Sequence, residues 1–121
     1  MKTALQLPVA IESYVSAINR RDVAAFEASF AQNATVKDIG REIRGLAAIR
    51  EWAKREIFAV NVSLELMGAV ERGNEVMIIV KIDGTFDRTD LPDPLVMEHC
   101  FTIVEGRIGS LVCRLAPRKV S

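Results

Sequence analysis

The hydrophobic pattern of this chain changes period once, near residue 60, and that change limits what it can fold into. Ahead of it, apolar residues recur mainly at three- and four-residue spacing; beyond it, they alternate every second residue. A chain that sets down its helices first and then lays out consecutive strands does not build repeated strand-helix-strand units. The order predicts an α+β domain, with helices gathered on one face of a sheet made largely by an antiparallel meander.

The segments can be placed one by one. Pro8 suits the first turn of a helix, and Ile11, Tyr14, Val15 and Ile18 then share one face, so Tyr14 points inward. Asp22 can cap a second helix, Val23 to Phe30, forming a helical hairpin with the first. Residues 34–39 form a short β-rich run with Asp38 at its end, followed by Gly40 and a return through Glu42, Ile43 and Arg44. A third helix runs from Leu46 to Phe58 with Ile49, Trp52, Ala53 and Ile57 inward. Strands follow at 61–71, 75–86, 95–104 and 108–115.

Length and charge narrow the functional classes. The 121 residues, half of them hydrophobic and 26% charged, predict one domain over 1–121 that folds without staples. Sixteen basic residues balance sixteen acidic ones with no long run of either sign, which argues against nucleic acid as a partner. No apolar run approaches the ~20 residues needed to span a bilayer, and Met1 to Leu5 lack a signal-peptide core. A cytoplasmic location without membrane association is expected. Cys100 and Cys113 lack the spacing of a metal site and the chain has one histidine, so no metal is predicted and both thiols are read as reduced.

Strand alternation sorts side chains by face. With Gly106-Arg107 as a two-residue hairpin loop, Cys100 lies opposite Cys113 and Glu98 opposite Leu115, on the face that carries Leu111. Ile78, Val80 and Ile82 of the preceding strand also point toward the helices. Joined by Ile18, Phe30 and Trp52, these residues are expected to line an apolar pocket containing Glu98, whose carboxyl group there favours its neutral, proton-donating form. His99, Phe101 and Lys81 are assigned to the outer face. The plainer alternatives are a core tyrosine at 14, a loop aspartate at 38 and a Glu98 paired with Arg114, although this register puts Arg114 on the other side.

Three segments, residues 14–19, 33–38 and 44–51, resemble bacterial ketosteroid isomerases, and the order of elements resembles the wider nuclear transport factor 2-like superfamily, which includes scytalone dehydratase and SnoaL-like polyketide cyclases. The resemblance implies a cone-shaped, curved antiparallel or mixed sheet with three N-terminal helices on its concave face. It also implies a small hydrophobic ligand, no cofactor, and a homodimer through the convex sheet face. By position, Tyr14 matches the family's oxyanion tyrosine, Asp38 its general base, and Glu98 the protonated acid that precedes a histidine. The chain departs from the pattern in three places: Glu98 is one methylene longer, Ile39 replaces a proline, and Tyr14 is the only tyrosine. Two functions follow from the resemblance: an enzyme of isomerase, cyclase or dehydratase type that moves a proton alpha to a carbonyl, or a non-catalytic ligand-binding or dimerisation module.

Overall fold

The computed structural model describes residues 7–117; the Met1 to Leu5 segment discussed above lies outside them. Helix α1, Val9–Arg20, follows Pro8 and stops where Arg21 turns left-handed at φ 58°, its N–H closing on the Ala17 and Ile18 carbonyls. Helix α2, Val23–Ala28, is capped by Asp22, whose carboxylate accepts a hydrogen bond from the Ala25 N–H at 3.0 Å. This helix ends two residues before the expected Phe30. The Ile108 N–H donates to the Ser29 carbonyl and Phe30 pairs with Ile108, so sheet pairing overrides local helix preference there.

Strands β1 (Phe30–Asp38) and β2 (Glu42–Arg44) form an antiparallel pair. Helix α3, Leu46–Ala53, continues as a π-helical turn through Lys54–Phe58, marked by the Ala59 N–H donating to the Lys54 carbonyl at 2.9 Å. Strands β3 (Ser63–Arg72), β4 (Glu75–Asp83), β5 (Leu95–Val104) and β6 (Arg107–Leu115) complete a six-stranded sheet in the order β2-β1-β6-β5-β4-β3. All neighbours are antiparallel except β1 and β6, which run parallel, so the sheet is mixed and open. Ile11, Ile18 and Ile49 from the helices and Val36, Ile78, Val80 and Leu111 from the strands are buried between the two layers.

The β5–β6 hairpin corrects the predicted faces. Its loop is Glu105-Gly106, both at positive φ, with Val104 opposite Arg107, rather than Gly106-Arg107. Moving the turn by one residue slides the pairing by two and leaves every side chain on its predicted face. The register then shifts again between Ile103 opposite Ile108 and Thr102 opposite Ser110, leaving Gly109 as an extra residue. That odd residue reverses the faces. His99, not Cys100, stands opposite Cys113, while Glu98 stands opposite Arg114 on the convex side.

Four assignments change as a result. His99 and Phe101 are buried on the concave face, not on the outer one; Glu98 and Cys100 are outside, not in the pocket. The plain reading of Glu98 holds, because Arg114 Nε donates to its Oε1 at 2.7 Å across the strands. Both cysteines are free thiols, and their opposite faces rule out a cross-strand bridge.

Candidate functional site

Between the helices and the concave face lies an apolar cavity of about 320 Å³. Tyr14 and Ile18 of α1, Trp52 of α3, and Ile57 of the π-helical turn form one wall. Ile82, Met97, His99 and Cys113 of the sheet form the other, and Asp38 and Ile39 stand at the end of β1. Of the predicted lining, Ile18, Trp52, Ile82 and Cys113 reach this space. Phe30, Ile78, Val80 and Leu111 are buried but lie outside the lining. An aromatic cluster fills the neighbouring region: Tyr14 lies 5.0 Å from Phe101 and 6.1 Å from Phe30, and Phe26 lies 5.1 Å from Phe30, between ring centroids.

Tyr14 and His99 make the polar feature of the interior. The Tyr14 hydroxyl and His99 Nδ1 are 3.0 Å apart in a buried hydrogen bond. Burial pushes the imidazole down to about 4, so it is neutral at pH 7. Burial also raises the Tyr14 phenol well above its ordinary range, with further contributions from Cys113 and from the charge of Asp38. Two neutral groups therefore share one proton-bearing contact.

Asp38 is held at one oxygen. Its Oδ2 accepts from Trp52 Nε1 at 3.2 Å and from Arg41 at 2.6 Å. Oδ1 has no partner among the described residues. No sealed, unpartnered side-chain oxygen or nitrogen occurs among them either, so Oδ1 is the open oxygen of the carboxylate. Arg41 also donates through both terminal nitrogens to Glu56, at 2.8 and 2.6 Å, tying the β1–β2 turn to the π-helical turn. That pairing lowers the pKa of Glu56 and raises that of Arg41 further.

Ile39, at the proline position of the resemblance, adopts φ 41°, a value a proline ring forbids. The backbone after Asp38 thus differs along with the residue. Cys113 lies in the cavity wall with its thiol pKa pushed up, chiefly by burial and secondarily by Asp38. Its depth makes it an inert apolar surface rather than a nucleophile.

His99 had a readable signal in the sequence. Within β5, Leu95, Met97 and Phe101 share its face, whereas the alternate set Val96, Glu98, Cys100 and Thr102 is half polar. Internal alternation therefore favoured His99 as the inward residue, while the hairpin register alone misled. Arg41 and Glu56 carry no comparable signal, because they meet only after α3 folds over the β1–β2 turn. Among the described residues no helix is long and apolar enough to cross a membrane.

A family model described as the SnoaL-like domain matches residues 11–110. No curated protein sequence matches the chain. Among solved structures, a candidate polyketide cyclase from Sinorhizobium meliloti is 28% identical, with 89% of this chain and 95% of that one covered and a TM-score of 0.80. A protein of ketosteroid isomerase-like fold from Catenulispora acidiphila, solved with trimethylamine, is 23% identical over 90% and 86% of the two chains, with a TM-score of 0.75. A Mycobacterium tuberculosis protein solved with estradiol-17beta-hemisuccinate is 17% identical over 89% and 93%, with a TM-score of 0.73. The last two likenesses are of fold.

Proposed function

The chain belongs to the SnoaL-like domain family of the nuclear transport factor 2-like superfamily, and from that premise we propose that it binds a small hydrophobic carbonyl compound and moves a proton alpha to the carbonyl. One observation carries the proposal: Asp38, with one carboxylate oxygen unpartnered among the described residues, and the neutral Tyr14–His99 pair border the same apolar cavity. Asp38 Oδ1 would take the proton from carbon, leaving an enolate, and would return it to the product. The Tyr14–His99 end would supply hydrogen bonding to the oxygen on which charge develops. Glu98 has no part, because it faces away from the cavity.

The test is Asp38→Asn, assayed for turnover on alpha-acidic cyclic ketones and for binding of 2-naphthol, an enolate mimic. Loss of turnover by about 100-fold or more with naphthol binding retained is the expected result. Undiminished turnover in the variant would remove Asp38 as the base.

A binding module without catalysis is the second reading, favoured by the ion pair that engages Asp38 through Arg41. It requires naphthol binding without turnover of any such ketone by the wild-type protein. A supporting comparison is the Mycobacterium tuberculosis relative solved with a steroid ester.

A further inference from the structure

We propose that the donor this cavity offers to its ligand is Nε2–H of His99, with the Tyr14 hydroxyl behind it as a positioning group, so that the site takes a neutral carbonyl or phenol in preference to a carboxylate. The assignment rests on the proposed ligand site, but it fails separately from it.

Burial and the hydrogen-bond partners of the two side chains argue for one direction of the Tyr14–His99 contact. Tyr14 is 1% exposed, and His99 Nδ1 is the one partner of its hydroxyl among the described residues. If Nδ1 carried the proton, the phenolic O–H of this more deeply buried residue would have no protein acceptor among the described residues. With Nδ1 as acceptor, the phenol proton is used and the neutral ring carries its own proton on Nε2. Nε2 has no protein partner among the described residues, yet no sealed, unpartnered side-chain nitrogen or oxygen exists among them. His99 lines the cavity, so Nε2–H opens onto it.

The preference for a neutral ligand follows from the charges around that donor. The imidazole is neutral, the phenol is neutral, and the nearest charged side chain of the inner wall, Asp38, is itself an acid whose field reaches Tyr14. A carboxylate drawn into this end would lose its hydration for one neutral donor and face the charge of Asp38. A ketone or phenol oxygen loses far less on entry. The two basic groups near the mouth do not alter that: Arg41 is occupied by Asp38 and Glu56, and Arg55 is on the exposed rim.

The chain has one histidine and one tryptophan, and both side chains line the cavity, so their nitrogen signals need no assignment by mutation. Nitrogen-15 NMR of the full chain at pH 7, titrated with 2-naphthol and separately with 2-naphthoate, reads the proposal directly. The expected result is a neutral Nε2–H tautomer in the free protein, with 2-naphthol moving both Nε2 and the Trp52 indole signal. Naphthoate should bind at least about tenfold more weakly. Tyr14→Phe should shift the population toward the Nδ1–H tautomer, a change that loss of packing alone would not produce. His99→Phe should weaken naphthol binding roughly 3- to 10-fold, and Glu98→Gln should leave it unchanged.

An Nδ1–H tautomer or a charged imidazole in the free protein overturns the assignment. So does saturation by naphthol that moves Trp52 and leaves His99 fixed, an outcome that leaves the ligand site standing. Naphthoate binding as tightly as naphthol overturns the ligand preference. If neither reporter responds to naphthol, both the donor and the ligand site fall. If His99→Phe does not fold, the wild-type spectra still decide.

Discussion

His99 of β5 stands directly opposite Cys113 of β6, and both side chains face the cavity. Had the hairpin run from its Glu105-Gly106 turn without interruption, Glu98 would have occupied that place and His99 would have been on the convex side. Gly109 makes the difference, because it is the residue by which β6 exceeds β5 between the turn and the site. The identity of the group that meets a ligand is thus set about ten residues away, in a bulge that does not touch the cavity.

Gly109 should resist substitution for a steric reason. A Cβ at this position would meet Val104 Cγ2 at 2.8 Å, closer than real contacts allow. Gly109→Ala is expected to lower unfolding free energy by about 1–3 kcal/mol. Val104→Ala in the same chain should recover part of that loss, with a coupling of about 1 kcal/mol in a double-mutant cycle followed by urea unfolding. Strict additivity would show that the strain lies elsewhere.

The buried imidazole makes a pH prediction with a definite sign. His99 has a pKa of about 4 in the fold and an ordinary value of 6.5 when unfolded. Between those values the unfolded chain binds more protons, so stability rises with pH through that window and is lost as pH falls from 6.5 toward 4. The loss amounts to roughly 3 kcal/mol when complete. Urea midpoints from pH 4 to 8 should fall on the acid side for the wild type and change less for His99→Gln. Parallel profiles would mean that the histidine is not buried in its neutral form.

Glu98 and Arg114 supply the contrast. Their 2.7 Å contact lies on the convex face, with the arginine side chain 56% exposed. Such pairs contribute about 0–1 kcal/mol. Glu98→Gln should therefore shift thermal stability little. A loss of turnover comparable with that of Asp38→Asn would contradict the observed register.

The fold was legible because its signals are long and redundant. Pro8 and Asp22 mark helix starts, and Val76, Ile78, Val80 and Ile82 keep strict alternation along β4. Tyr14 and Asp38 were placed in the cavity by local pattern and by resemblance, and both line it. Glu98 went astray because a face assignment carried through a hairpin depends on parity, and one bulged glycine changes parity while leaving the hydrophobic composition untouched. The Arg41 clamp was invisible for another reason: its three members, Asp38, Arg41 and Glu56, come from a strand end, a turn and a π-helical turn, whose meeting no periodicity encodes.

That clamp yields a prediction about position rather than stability. Arg41 is about half exposed, so its contacts with Glu56 and Asp38 contribute no more than about 1 kcal/mol, and Arg41→Gln should fold nearly as well as wild type. What it loses is one of the two donors that hold Asp38 Oδ2 and thereby fix the orientation of the carboxylate that lines the cavity. Trp52 alone leaves the carboxylate free to pivot, and small errors in the aim of a base are costly in rate. Arg41→Gln is expected to lower kcat roughly tenfold with 2-naphthol affinity little changed, and Glu56→Gln should act in the same direction more weakly because Arg41 then keeps Asp38 as its partner. The Trp52 indole N–H signal should move in both variants, since it shares Oδ2 with Arg41. An unchanged kcat together with an unmoved indole signal would show that Trp52 by itself orients Asp38.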